Sequence, residues 1–183
     1  MDFDLIVVGN GSAGDNIART LGRAGKRVAV VEQSHLGGEC LNDGCIPSKA
    51  LVEVAKRAQF EQWPWDRVVA HIQATQRLVR GDDPDGGLAG DGVKLIWGAA
   101  AFVAPTTVVV EGQELSAPDV VLATGTAPGI PPVPGLRELG PLTNRDVFAM
   151  PSLPARLAVV GGGPIGLELG QALSRLGSAV TMF

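Results

Sequence analysis

The residues with the most reactive side chains are Cys40 and Cys45, the only two cysteines in a chain of 183 residues. Their surroundings read Gly37-Gly38-Glu39-Cys40-Leu41-Asn42-Asp43-Gly44-Cys45-Ile46-Pro47-Ser48-Lys49. A structural staple explains them poorly, because so small a loop restricts the unfolded chain little and a reducing compartment keeps ordinary thiols reduced. Zinc fits no better: it needs two more ligands, and the only histidines, His35 and His71, do not stand at ligand spacing. Catalytic redox chemistry and a pair of inert core thiols remain. Cys45 is expected to open a helix, whose positive dipole end favours a thiolate, and Lys49 one turn later adds positive charge on the same side. Cys40 is expected in the preceding loop, with Asn42-Asp43-Gly44 reversing the chain so that the sulfurs approach each other. One thiol would then face an electron donor and the other a substrate.

The elements that must position these thiols follow an internal repeat of strand, glycine turn and helix. The first copy runs from Leu5 to Val8 as a strand, through Gly9-Asn10-Gly11-Ser12-Ala13-Gly14, along a helix to about Arg23, and into a strand from Arg27 to Val31 that ends at Glu32. The second copy runs from Leu157 to Val160, through Gly161-Gly162-Gly163-Pro164-Ile165-Gly166, along a helix to about Leu176, and into Ala179 to Phe183. Carried forward in register, the counterpart of Glu32 is one position past Phe183, so the sequence is expected to be the amino-terminal part of a longer protein. Between the copies, helices are expected from Ile46 to about Ala58, with Pro47 in the first turn, and from Asp66 to Val79, with Val68, Ile72, Thr75 and Val79 on one face. Gly81 to Gly87 reads as a turn-rich loop. Strands are expected at Lys94 to Trp97, Thr106 to Val110 and Val120 to Ala123, the middle ones in an antiparallel meander. Pro128 to Pro141 reads as a stiff extended connector.

A strand running into GxGxxG and then a helix puts glycine where a tight turn, an approaching pyrophosphate and helix-strand packing each exclude a β-carbon. The N–H groups from Gly11 to Gly14 would point at phosphate, aided by the helix dipole, and Glu32 could accept ribose hydroxyls. The alternative is a sheet-edge turn whose glycines serve packing alone. Gly161, Gly163 and Gly166 repeat the pattern and would bind a second dinucleotide. Two such sites suggest electron transfer between two carriers, with a flavin and a nicotinamide as the economical pair.

Composition narrows the partners. The net charge of -4 and the scattered lysines and arginines create no basic field, so nucleic acid and anionic membranes are not expected partners. The opening Met1-Asp2-Phe3-Asp4 has no basic segment before a long apolar run, and no stretch suits a membrane span. A cytoplasmic protein is expected, and no resident metal.

The segments Gly38-Glu39-Cys40-Leu41-Asn42 and Gly44-Cys45-Ile46-Pro47-Ser48-Lys49 resemble the active-disulfide signature of class I pyridine nucleotide–disulfide oxidoreductases. This family includes dihydrolipoamide dehydrogenase, glutathione reductase and mercuric reductase. The resemblance covers essentially the whole chain, since both glycine motifs, the cysteines and Ala123-Thr124-Gly125 follow in family order. It implies an α/β fold: a Rossmann-like FAD/NAD(P)-binding fold with a parallel sheet, an antiparallel β-meander and helices, followed by the start of a second Rossmann unit. Residues 1–145 would form the FAD-binding domain and 146–183 the beginning of the NAD(P)-binding domain.

The resemblance also assigns roles. Gly9, Gly11, Ser12, Gly14 and Glu32 would hold the FAD pyrophosphate and ribose, and Gly98 and Ala99, in a GxAxF stretch, would contact adenine. Thr124 and Gly125 would pass the flavin. Cys45 would be the sulfur against the flavin and Cys40 the one that exchanges with substrate. Lys49 would lie near the flavin and pair with Glu168. Gly161, Gly163 and Gly166 would hold NAD or NADP. Glu39 departs from the family, which usually has threonine there. Ile46-Pro47-Ser48-Lys49-Ala50-Leu51 is most similar to the lipoamide enzymes, whereas Leu142-Thr143-Asn144 resembles mercuric-reductase-like proteins. The implied substrate is a small-molecule or lipoyl-domain dithiol or disulfide, and the full-length parent would be a homodimer whose acid–base histidine comes from later sequence. Alone, this chain is expected to turn over poorly. A non-catalytic flavin- or partner-binding module is the alternative.

Overall fold

The computed structural model describes residues 1–183, and the chain divides into two compact units, residues 1–40 with 80–126 and residues 41–79 with 127–183.

In the first unit, continuous apolar runs form strands buried on both faces. β1 (Leu5–Val8) and β2 (Val28–Glu32) are joined by α1 (Ser12–Arg23). Such runs, rich in β-branched side chains and without polar alternation, suit the middle of a parallel sheet. β3 (Val93–Trp97) and β7 (Asp119–Leu122) complete a four-stranded parallel sheet in the order β3-β2-β1-β7. On one face, Leu5, Val7, Val28 and Val30 pack with Ala18 of α1. On the other, Ile6, Ala29 and Val31 pack against Val108, Val110 and Leu115. Each fully buried side chain of this kind contributes about 1.5–3 kcal/mol.

Those last three residues belong to an antiparallel sheet of β4 (Ala100–Ala104), β5 (Thr107–Val110) and β6 (Gln113–Ser116). Of the three strands expected between residues 94 and 123, only the middle one lies in this meander, and the outer two join the parallel sheet. β4 and β6 escaped the sequence reading because their residues are mostly exposed and lack a clear alternation. Arg19 and Arg23 of α1 both reach Asp91 at 2.7 Å and fasten the loop before β3. The Arg23 and then the Arg19 guanidinium lower the Asp91 carboxyl to about 2.

The second unit contains α3 (Cys45–Arg57), α4 (Trp65–Arg80) and α5 (Pro164–Arg175), with a parallel pair of strands, β8 (Arg156–Val159) and β9 (Ala179–Met182). Its core joins Leu51 and Val54 of α3, Val68 and Ile72 of α4, Phe148, and Leu173 of α5. Val79, expected on the buried face of α4, is exposed because the packed stretch ends a turn earlier. Trp65 donates its indole N–H to the Met150 carbonyl at 2.7 Å, while Trp63 packs at the margin of the core. The proline-rich segment is not extended throughout: residues 134–139 fold into turns closed by Leu136 N–H to Val133 O and Leu139 N–H to Gly135 O.

Candidate functional site

In the first unit the candidate residues gather at the carboxyl ends of the parallel strands, where open α/β sheets bind ligands. Gly9 leaves β1 with φ +102°, and a Cβ there would stand 2.3 Å from the Ala123 carbonyl oxygen. A Cβ on Gly14 would stand 2.0 Å from the Gly9 carbonyl oxygen. These two glycines are explained by the protein's own packing. Gly11 is not: its Cβ would meet only the Gly38 Cα, at 4.0 Å. Gly11 is also the N-cap of α1 and supplies no side-chain cap, while Ser12 and Ala13 are exposed, so the first-turn N–H groups face open space.

Glu32 ends β2 and is buried. Its Oε1 accepts the N–H groups of Gln33 and Ser34 at 2.9 Å and the Ser34 hydroxyl at 3.0 Å; its Oε2 accepts only the Asn10 N–H, at 2.8 Å. Burial alone would push this carboxyl up, but the donors of Asn10, Ser34 and Gln33 outweigh it and hold the group below its ordinary range. Oε2 keeps acceptor capacity for a hydroxyl. An open glycine at an uncapped helix start, beside a fixed carboxylate with a spare acceptor, fits the pyrophosphate and ribose of a dinucleotide such as FAD.

The same turn holds the first cysteine in place. Asn10 accepts the Gly37 N–H through its carbonyl at 3.0 Å and through Oδ1 at 3.1 Å. A Cβ on Gly38 would stand 2.6 Å from the Gly11 Cα, so the backbones meet closely there. The short helix α2 (Gly38–Asn42) starts at this contact and carries half-buried Cys40. Cys40 therefore lies in a helical turn and not in the loop expected from the sequence, because the approach of Gly38 to Gly11 and the hold of Asn10 on Gly37 set the backbone from which the turn starts. Glu39 is 3.5 Å from the Thr126 hydroxyl, just beyond exposed Thr124 and Gly125. Gly98 follows β3 and donates its N–H to the Glu32 carbonyl at 2.9 Å, with Ala99 exposed next to it. Asn10 and the Gly37-Gly38 contact are additional to the residues expected from the sequence, where a polar residue between two motif glycines is the signal that points to Asn10.

In the second unit, Cys45 is exposed at the first position of α3, after an N-cap, Gly44, that offers no side-chain cap. The uncapped helix end leaves the dipole acting on this sulfur. The Ser48 hydroxyl donates to the Cys45 carbonyl at 3.3 Å. Lys49, one turn on, forms an ion pair with Glu168 of α5, so the structure brings together two residues 119 positions apart. The second glycine turn repeats the logic of the first: Gly161 has φ +109°, a Cβ on Gly166 would stand 2.4 Å from the Gly161 carbonyl oxygen, and one on Gly163 would meet nothing within 4 Å. No helix is long and apolar enough to cross a membrane.

The chain is similar to mercuric reductase from Staphylococcus aureus, at 31% identity over 99% of this chain and 36% of the relative. It is similar to glutathione reductase from Burkholderia cepacia at 34% identity, over 98% of this chain and 42% of the relative. Among solved structures it matches the HOCl-induced flavoprotein disulfide reductase RclA from Escherichia coli, in its Cu(II) complex. That match has a TM-score of 0.87 and 31% identity, and covers 98% of this chain and 41% of that one. The chain thus spans roughly two fifths or less of the length of these proteins, in a Rossmann-type α/β fold. The family model described as pyridine nucleotide-disulphide oxidoreductase matches residues 3–183, and the chain belongs to that family.

Proposed function

We propose that the chain carries the FAD site and the redox-active disulfide of an FAD-dependent dithiol/disulfide oxidoreductase, with Cys40 and Cys45 as the redox pair. The observation that carries this reading is Cys45, exposed at an uncapped helix start, with Lys49 one turn on held by Glu168. Residues 1–145 would serve the flavin and residues 146–183 would begin the site for NAD or NADP, with Gly161, Gly163 and Gly166 as its turn.

The residues divide the work as follows. The N–H groups after Gly11 bind phosphate, and Oε2 of Glu32 accepts a ribose hydroxyl. Gly98 and Ala99 border the base, and Thr124 and Gly125 line the flavin's path. Bound FAD would supply a two-electron relay between a nicotinamide and the disulfide. In the oxidising direction a substrate dithiol gives two electrons and two protons to the Cys40–Cys45 disulfide, becoming a disulfide as the pair becomes two thiols. Cys40 exchanges with substrate, and the helix dipole stabilises the thiolate released at Cys45. Glu168 orients the Lys49 ammonium.

The run Ile46 to Leu51 supports a lipoamide-type dithiol as substrate, with electrons leaving to NAD. The names of the similar proteins favour a second reading, reduction of a disulfide such as that of glutathione, or of a thiophilic metal ion, by NAD(P)H. A homodimer in the cytoplasm is the proposed working form. The test is steady-state turnover by the whole protein with FAD, comparing dihydrolipoamide plus NAD, glutathione disulfide plus NADPH, and Hg(II) plus NADPH. One couple should exceed the others by at least about tenfold, and Cys40→Ser should abolish it. Tight FAD binding without turnover of any couple would instead support a non-catalytic flavin module.

A further inference from the structure

The hairpin between β5 and β6 turns on Glu111 and Gly112, and Glu111, at φ +48°, is the one residue other than glycine with a positive φ. A two-residue hairpin of this kind prefers Asn, Asp or Gly at its first position, so glutamate there carries a conformational cost. None of the protein's ion pairs involves it. Its side chain instead lies over Gly98: a Cβ on Gly98 would stand 2.9 Å from the Glu111 Cγ and 3.2 Å from its Oε1.

That location has a meaning in the order of the strands. A dinucleotide held by this unit has its pyrophosphate at the turn after β1 and its ribose at the acid ending β2. The sheet order β3-β2-β1-β7 puts β3 next in line, so the base falls at the end of β3, at Gly98 and Ala99. We infer that Glu111 reads this base: its carboxylate accepts a hydrogen bond from an exocyclic amino group and so selects adenine over a base with a carbonyl in that place. A carbonyl there would set two acceptors against each other with no proton between them. The inference rests on the dinucleotide reading of the first glycine turn given above.

The test titrates the full chain with FAD and with flavin hypoxanthine dinucleotide, in which a carbonyl replaces the 6-amino group of adenine, following flavin fluorescence. The wild-type chain should prefer FAD by about tenfold or more, the usual weight of a hydrogen bond to a charged group. Glu111→Gly should bring that preference close to unity without lowering the melting temperature of the unliganded chain, since glycine relieves the positive φ. Glu111→Gln, which keeps the reach and a carbonyl acceptor, should retain a reduced preference. An unchanged ratio of affinities in Glu111→Gly, or no preference in the wild type, overturns the role of Glu111 while leaving the flavin site standing. Failure of the wild type to bind FAD at all overturns the flavin reading itself.

Discussion

Gly14 and Gly11 stand three positions apart in one turn and should respond to alanine differently, the first mainly in stability and the second mainly in FAD affinity. A Cβ on Gly14 lies 2.0 Å from the Gly9 carbonyl oxygen and 3.2 Å from the Ala123 Cβ, so backbone must move. Overpacking of this kind costs about 1–3 kcal/mol, and the upper end applies because a main-chain atom, not a flexible side-chain tip, is displaced. For a chain of this size that lowers the melting temperature by roughly 6–12 °C. Gly11→Ala meets only the Gly38 Cα at 4.0 Å, and the backbone there has φ -77°, which alanine adopts freely. Its cost is the weaker N-cap preference of alanine, about 1 kcal/mol at most. The same methyl group enters the space where phosphate would approach, so FAD affinity should fall by about tenfold or more through lost charge-assisted hydrogen bonds. Thermal melts of the unliganded variants and FAD titrations separate the two effects. If Gly11→Ala binds FAD like the wild type, or melts as early as Gly14→Ala, the assignment of Gly11 to a ligand is wrong.

Glu168→Gln removes an ion pair whose lysine side chain is 66% exposed, so it should cost under about 1 kcal/mol and shift the melting temperature by less than roughly 4 °C. It should nonetheless slow reduction of bound flavin about tenfold or more in stopped-flow traces, because Lys49 loses its orientation; a large stability loss with unchanged reduction would reverse that assignment. The Glu32 carboxyl lies below its ordinary value of 4.5, so the stability it contributes is present above that value and is lost as pH falls through the depressed one. The difference in melting temperature between wild type and Glu32→Gln should therefore hold steady from neutral pH down to the ordinary carboxylate range and shrink below it. A difference that grows on acidification would contradict the donor set at this carboxylate.

Much of this arrangement is legible in the sequence because it depends on local pattern. The apolar runs at Leu5 to Val8 and Val28 to Glu32, the glycine spacings and the helix after Cys45 each follow from the conformational demands of a few neighbouring residues. The ion pair of Lys49 with Glu168 lies beyond such reasoning, since it spans 119 positions; only the family resemblance pointed to it. The helical turn at Cys40 was hidden because its cause is not in residues 38–42 but in the approach of Gly38 to Gly11 and the grip of Asn10 on Gly37. β4 and β6 were hidden because an exposed strand beside a meander partner needs no strong apolar alternation. Glu111 belongs to no motif in the sequence, and only its φ and its proximity to Gly98 single it out.

In the proposed function Cys40 and Cys45 form a disulfide that exchanges electrons with bound flavin. Anaerobic titration of the FAD-loaded protein with dithionite tests it most directly, with thiols counted and the long-wavelength charge-transfer absorption followed at each step. The first two electrons per FAD should release two thiols and raise a charge-transfer band, and Cys45→Ser should eliminate the band. Direct bleaching of the flavin by those two electrons, with no new thiols and no band, would contradict it.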